Sequence, residues 1–302
     1  MNTIQLFGTL ELGFIYGLLA LGVYLSFRVL DFPDLTVDGS FPLGAAVTAA
    51  LIVAGYNPWM ATGCAVVAGI AAGLATAWLT LRWKILHMLA SILVMTALYS
   101  INLRIMGRPN VALLGEKTIF SSIPAVAEWI GWPQHAVMPI AVGIVALGAV
   151  WIVYWFLTTQ FGLALRATGA NSQMAESQGI SVRATTYVGI AFSNGLIAMA
   201  GALFAQAQGF ADVTIGTGTI IVGLASVIIG EAIVRTRCLM ITLLACLVGS
   251  ILYRLAVAFA LNCSGLGLQA SDLNLVMAIL IAIAMIFPKI QQKVWTLRQR
   301  KP

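Results

Sequence analysis

From Gly39 to Leu81 the chain carries no charged side chain at all. A water-soluble domain, in which about a quarter of the residues are charged, has no surface that such a run could form. Asn57-Pro58 interrupts it with a turn signal, so the run divides into two helices. Comparable apolar segments fall near residues 7–27, 41–54, 60–81, 89–103, 135–157, 186–208, 219–233, 238–260 and 273–288. A bilayer accepts only helices or closed barrels, and these runs lack the alternation of strands. The sequence therefore predicts an all-α polytopic membrane protein with about nine membrane segments, two of them short. Composition agrees: 61% of residues are hydrophobic and 9% charged, with a mean hydropathy of +0.99, which excludes an ordinary soluble enzyme.

Sixteen Lys and Arg against ten Asp and Glu give a net charge of +6. At this low density the excess sets membrane topology rather than nucleic-acid binding. Arg28, Arg82, Lys84, Arg166, Arg183, Arg235, Arg237 and the tail from Lys289 to Lys301 alternate correctly along the chain if all lie in the cytoplasm. Trp59, Trp129 and Trp132 then mark the outer interface, and Trp78, Trp83, Trp151, Trp155 and Trp295 the inner one. This predicts a multi-pass protein of the cell (inner) membrane, N-terminus outside and C-terminus cytoplasmic. The first residues lack the charged and small-residue pattern of a cleaved signal peptide, so the first segment is expected to be retained.

Sliding the chain on itself by 178 positions pairs residues 16–40 with 194–218. Phe32, Asp34 and Thr36 then match Phe210, Asp212 and Thr214, and residues 60–81 fall on 238–259 without a gap. One unit starts outside and the other inside, so the repeats are expected to be inverted: repeat one at about 7–103, a linking span at about 135–157, and repeat two at about 186–288, all within a single transmembrane domain of residues 1–302. Inverted repeats are a usual construction of transporters, and short apolar segments at matching places point to the substrate path. The segments at 41–54 and 219–233 have that character. Asp34, Thr36, Gly44, Asp212, Thr214 and Gly223 are therefore the candidate pathway residues, with N-terminal capping of the short helices as the structural alternative for the Asp and Thr pairs.

Gly13 and Gly17, and Gly69 and Gly73, are spaced for close helix contact, within the chain or between subunits. Glu11 and Arg254 interrupt apolar segments toward the outer side, where snorkelling to the interface is expected. Cys64, Cys238, Cys246 and Cys263 have no metal-ligand spacing. His87 and His135 lack catalytic context, and LGEKT at 114–118 lacks the residues of a phosphate loop. No catalytic residue, metal or cofactor is expected, and ATP hydrolysis is not expected of this chain.

The stretch at 158–185 is polar and rich in small residues. Asn171 or Ser172 is placed to cap a short helix, QMAESQGI, closed by Gly179. Its surrounding sequence, GLALRATGANSQMAESQGISVRATTYVGIAFSNGLIAMAGAL, resembles the coupling-loop region of ABC-importer permeases of the branched-chain amino acid and ribose type. The matching positions are Arg166, Ala167, Gly169, Asn171, Ala175, Gly179, Ile180, Ala200 and Gly201. SFRVLDFPDLTVDGSFPLGAA at 26–46 resembles the tryptophan/tyrosine-type branch of that group. Glu231 departs from the pattern, standing where relatives carry a glycine-rich turn.

The resemblance implies the membrane subunit of an ATP-driven importer, for amino acids or a similar small polar solute, working by alternating access. It also implies a second permease copy in a homodimer, a cytoplasmic ATP-binding subunit that grips Arg166, Gly169, Asn171, Ala175, Glu176, Gly179 and Ile180, and an extracytoplasmic substrate-binding protein. The competing class is an ion-coupled secondary transporter or channel with the same repeats. That class asks for an ionisable residue at the midplane, and the apolar segments place no acidic residue clearly there. A membrane-embedded enzyme would need clustered His, Asp or Glu, which the spacing does not provide.

Overall fold

The computed structural model describes residues 3–124, 127, 131, 133–234, 236, 238–262 and 282. The predicted span at 273–288, the tail at 289–301, Arg235, Arg237, Trp129, Trp132, Trp295 and Cys263 lie outside the described residues. The rest is a helical bundle. Its helices are α1 (Thr3–Val23, running on as a π-helical segment Tyr24–Val29), α2 (Val37–Val53), α3 (Pro58–Trp83) and α4 (His87–Met106). After a short β1 (Asn110–Ala112) follow α5 (Gln134–Thr158), α6 (Gln160–Ala170), α7 (Ser172–Ser177) and α8 (Val182–Gln208). β2 (Phe210–Asp212), a 3-10 turn (Val213–Gly216), α9 (Thr219–Ile233) and α10 (Leu239–Asn262) complete it.

Among the described residues seven stretches are long and apolar enough to cross a membrane, and Val37–Val53 is a shorter apolar helix. The second short segment, α9, reaches 21 residues only by counting the 3-10 turn before it. The chain is a multi-pass membrane protein. One end of the bundle gathers the ends of helices next to Arg28, Arg82, Lys84, Arg166 and Arg183, and is called the basic end below; the other is the far end.

Local chemistry sets the boundaries. The Asn57 side chain accepts the amide of Trp59 at 2.9 Å while Pro58 occupies the first turn of α3, so the predicted turn between α2 and α3 is found. Gly107, at φ +68, closes α4 with a left-handed residue. Asp31, also at positive φ (54), follows the end of the π-helical segment, after which the chain is irregular to Asp34.

At the far end β1 pairs antiparallel with β2, Val111 opposite Ala211. Three-residue strands carry too short a pattern to be read from sequence. The stretch 158–170, expected as loop, is instead mostly the helix α6, started by Thr159, whose hydroxyl oxygen accepts the Gly162 amide at 3.2 Å.

The centre of the bundle is α8, buried along most of its length from Thr185 to Gln206. It is wrapped by α3, α2 and α1, while α1 is wrapped in turn by α10, α5 and α9. Small residues permit these crossings. A Cβ on Gly73 would lie 3.0 Å from the Ala191 Cα, and one on Gly13 would lie 3.1 Å from the Ile251 Cα. Both glycine pairs singled out in the sequence thus serve packing within the chain.

Candidate functional site

The two matched Phe-x-Asp-x-Thr motifs form the same local turn. Asp34 Oδ1 accepts the Thr36 amide at 2.9 Å, and Asp212 Oδ1 accepts the Thr214 amide at 2.7 Å. Neither carboxylate reaches the first turn of the short helix that follows. The N-terminus of α9 is capped from a distance by Asp38 of α2: its Oδ1 accepts from the Thr219 hydroxyl (2.9 Å) and the Ile220 amide (2.8 Å), its Oδ2 from the Gly218 amide (3.1 Å). The repeat match pairs Asp38 with Gly216, so the motif carries no signal for this cap. Pro42 has no amide hydrogen to offer the Asp38 carbonyl, and Gly216 packs directly on that carbonyl, where any side chain would collide.

The two equivalent aspartates then part company. Asp212 is in the exposed far-end turn, where the Asn110 side chain donates to it at 3.1 Å. Burial pushes its carboxyl up, but the bonds from Thr214 and Asn110 outweigh that and hold it below the ordinary carboxylate range. Asp34 is fully enclosed, its Oδ2 accepting from Asn194 Nδ2 at 2.7 Å. Asn194 is the thirteenth residue of the 27 in α8, so the structure sets an acidic group at mid-helix depth, contrary to the sequence reading. Asp34 lies between the apolar runs at 7–27 and 41–54, so hydropathy gives it no depth; its contact with Asn194 places it inside the bundle.

A network spreads from Asn194. Its Oδ1 accepts from the Ser40 hydroxyl at 2.6 Å, its Nδ2 also donates to the Ile190 carbonyl, and Thr36 shares a hydrogen bond with Thr76 at 2.7 Å. Asp34, Thr36, Ser40, Thr76 and Asn194 are all wholly buried, so the network ties α2, α3 and α8 together. Gly44 lies against the Ala198 carbonyl and Gly223 against Leu19 and Val23. Of the six candidate pathway residues, four are thus enclosed in helix seams and two, Asp212 and Thr214, belong to the far-end turn.

Arg254 does not snorkel. Its guanidinium carbon sits 3.7 Å from the centroid of the Tyr16 ring, and its Nε has no partner among the described residues. The Tyr16 ring itself packs on Phe41 and Phe204, which draws the cation inward. Glu11 meets Gln208 at 3.4 Å.

At the basic end the predicted loop helix is α7. Asn171 caps it by accepting the Met174 amide at 3.0 Å, and Gly179 follows at φ +81. Ala175 anchors α7 to the bundle, leaving Glu176 and a 63%-exposed Met174 to face outward. Met174 escaped the sequence reading because a lone Met in a polar stretch has no pattern. The neighbouring α6 is held on both sides: Gly169 abuts the Val29 carbonyl, and Thr168 shares a hydrogen bond with Thr185 of α8 at 3.1 Å. Arg166 faces a cavity of about 420 Å³ with Tyr24, Thr242 and the Arg28–Glu231 ion pair, Nε to Oε1 at 2.7 Å. Glu231, the departure from the resembled pattern, therefore links the ends of α1 and α9.

A multi-pass bundle with short apolar helices and a capped helix at its basic end has the features expected of a membrane transport permease. The chain belongs to the family of branched-chain amino acid transport system permease components, whose model matches residues 5–287. It is 37% identical, over 88% of its length and 85% of the relative's, to the tyrosine transport system permease protein of Clostridioides difficile (strain R20291). It is 28% identical, over 57% of its length and 48% of the relative's, to the galactofuranose transporter permease of Escherichia coli (strain K12). In fold it is similar to PsaBC from Streptococcus pneumoniae in complex with Fab, with a TM-score of 0.52, 14% identity, and 94% of this chain and 91% of that one covered.

Proposed function

We propose that this chain is the membrane subunit of an ATP-driven importer of amino acids, with aromatic amino acids the first to test because a relative 37% identical is a tyrosine transport permease. The observation that carries the reading is the path from α7 through α6 to Val29 at the end of α1 and Thr185 near the start of α8. A partner ATPase that moves Met174 and Glu176 would thereby move the two helices at the heart of the bundle.

Those helices head two inverted repeats. Adding 178 carries α2 (37–53) to 215–231 and α3 (58–83) to 236–261, close to α9 and α10. The crossings support the same symmetry: the offset carries position 73 to 251 and position 13 to 191, so the contact Gly73–Ala191 maps onto Ile251–Gly13. Alternating access is a rocking of one repeat against the other, with the basic end in the cytoplasm of the inner membrane, two copies forming the pathway, and an extracytoplasmic binding protein delivering substrate. The seams at Asp34, Thr36, Gly44 and Gly223 are the surfaces on which the repeats hold together; Asp212 and Thr214 shape the outer mouth.

Asp34 is the midplane acid that an ion-coupled transporter asks for. Its enclosed side chain accepts on both oxygens from Thr36 and Asn194, which suits a structural tie rather than a site that loads and releases an ion. The test is tyrosine uptake by the assembled transporter in vesicles: dependence on ATP supports the proposal, and uptake by this chain alone on an ion gradient contradicts it.

A further inference from the structure

A cavity of about 230 Å³ opens between α2, α4 and the turn that leads into α9. Met95, Pro42 and the ring of Tyr99 make its wall largely apolar. Besides the hydroxyl-bearing Thr96 and Thr217, two side chains with oxygens that can only accept line that wall. One is the Asp38 carboxylate, whose three hydrogen-bond donors, the Gly218 and Ile220 amides and the Thr219 hydroxyl, are all neutral. Among the described residues no cation pairs with it, and the partial positive charge at the start of α9 offsets its charge in part. The other is Asn102, which is wholly buried; its Nδ2 donates to the Gly39 carbonyl at 3.3 Å, while its Oδ1 has no partner among the described residues.

An enclosed amide oxygen favours a donor, and the Asp38 carboxylate on the same cavity wall adds a negative charge that neutral donors do not cancel. The complement of this wall is a positive group with several hydrogens to donate. An anion is repelled by Asp38, and a calcium ion needs about six to eight oxygen ligands, far more than this wall supplies. The chemistry that matches both the acceptors and the apolar wall is a primary ammonium on an apolar body. The location suits such a role, because both short helices, α2 and α9, begin beside this cavity.

We propose that the cavity binds the ammonium end of an amino acid or amine, with Asp38 and Asn102 as acceptors and Met95 and Tyr99 against the apolar part. The assignment rests on the amino-acid importer reading for its choice of ligand.

The test uses the purified chain in lipid nanodiscs and three probes: L-tyrosine, tyramine, which keeps the ammonium and lacks the carboxylate, and 3-(4-hydroxyphenyl)propionate, which lacks the ammonium. Calorimetric titration is expected to show binding of the first two and none of the third. Asn102→Leu removes an acceptor, and Thr96→Phe fills the cavity from its exposed wall without touching the Asp38 cap; each is expected to weaken tyramine binding by about tenfold or more. Thermal unfolding checks both variants, and Thr96→Phe decides alone if Asn102→Leu does not fold. Equal binding of the propionate, tyramine binding unchanged by Thr96→Phe, or no tyramine binding to the unaltered chain each overturns the proposal. ATP-driven tyrosine uptake by the complete transporter separates the two readings: uptake without tyramine binding removes this site and keeps the importer, and tyramine binding without uptake does the reverse.

Discussion

Gly169 of α6 lies directly against the carbonyl of Val29, the last residue of the π-helical extension of α1, with no room for a side chain between them. A surface segment and a central helix are thus in backbone contact, which makes the pair a mechanical joint. Gly169→Val should push α6 off α1, lowering stability by about 1–3 kcal/mol as overpacking does. ATP hydrolysis stimulated by the loaded binding protein should fall more steeply than expression. Gly148→Ala is the control, since no neighbour lies within 4 Å of its Cβ position, and both readouts should stay unchanged.

The buried tie at Asn194 should show a graded response. Asn194→Leu strips the Asp34 carboxylate of a hydrogen bond in a closed site, an effect of about 1.5–3 kcal/mol for a charged partner. Ser40→Ala leaves a neutral acceptor, Asn194 Oδ1, without its donor, and should cost about 1 kcal/mol, the low end for an unsatisfied buried group. Thermal unfolding in detergent would report the order; equal losses would mean that the network does not hold the helices.

Much of this architecture is legible in the sequence, and the reasons are physical. Apolar runs and the Asn57-Pro58 break fix α2, α3 and their turn, because capping and hydropathy are local. Asn171 and Gly179 mark α7 for the same reason. The far-end strands, the Asp38 cap and the Tyr16–Arg254 contact join residues about 100 to 240 positions apart, and nothing local encodes them. Asp34 lies outside the apolar runs that mark membrane depth in the sequence, and its contact with Asn194, 160 positions away, carries it inward.

The far-end turn offers a pH readout. The carboxyl of Asp212 is held below its ordinary value by Thr214 and Asn110, so the stability it contributes is present above the unfolded carboxylate value of about 3.9 and is lost as pH falls through the lower folded one. Hydrogen exchange at Val111 and Ala211 should accelerate in that acidic window. Asp212→Asn should remove the acidic step; an unchanged step would assign it to another group.

Orientation is open to direct labelling. In a background lacking Cys64, Cys238, Cys246 and Cys263, a cysteine at Gly115 should react with an impermeant thiol reagent applied to intact cells. One at Ser172 should react only after the membrane is opened. The reverse pattern would invert the topology and place α7 away from any cytoplasmic ATPase.

The central claim is that α7 couples this chain to an ATPase. The most direct measurement is tyrosine uptake and ATP hydrolysis by the transporter reconstituted in vesicles with its ATPase and binding protein, comparing the unaltered chain with Glu176→Trp/Gly179→Val. Gly179 is left-handed, which a β-branched residue resists, and Glu176 faces outward. The account predicts that the double variant still receives the binding protein with unchanged affinity but loses stimulated ATP hydrolysis and uptake. Uptake that persists in the double variant, or that this chain performs without an ATPase on an ion gradient, would contradict it.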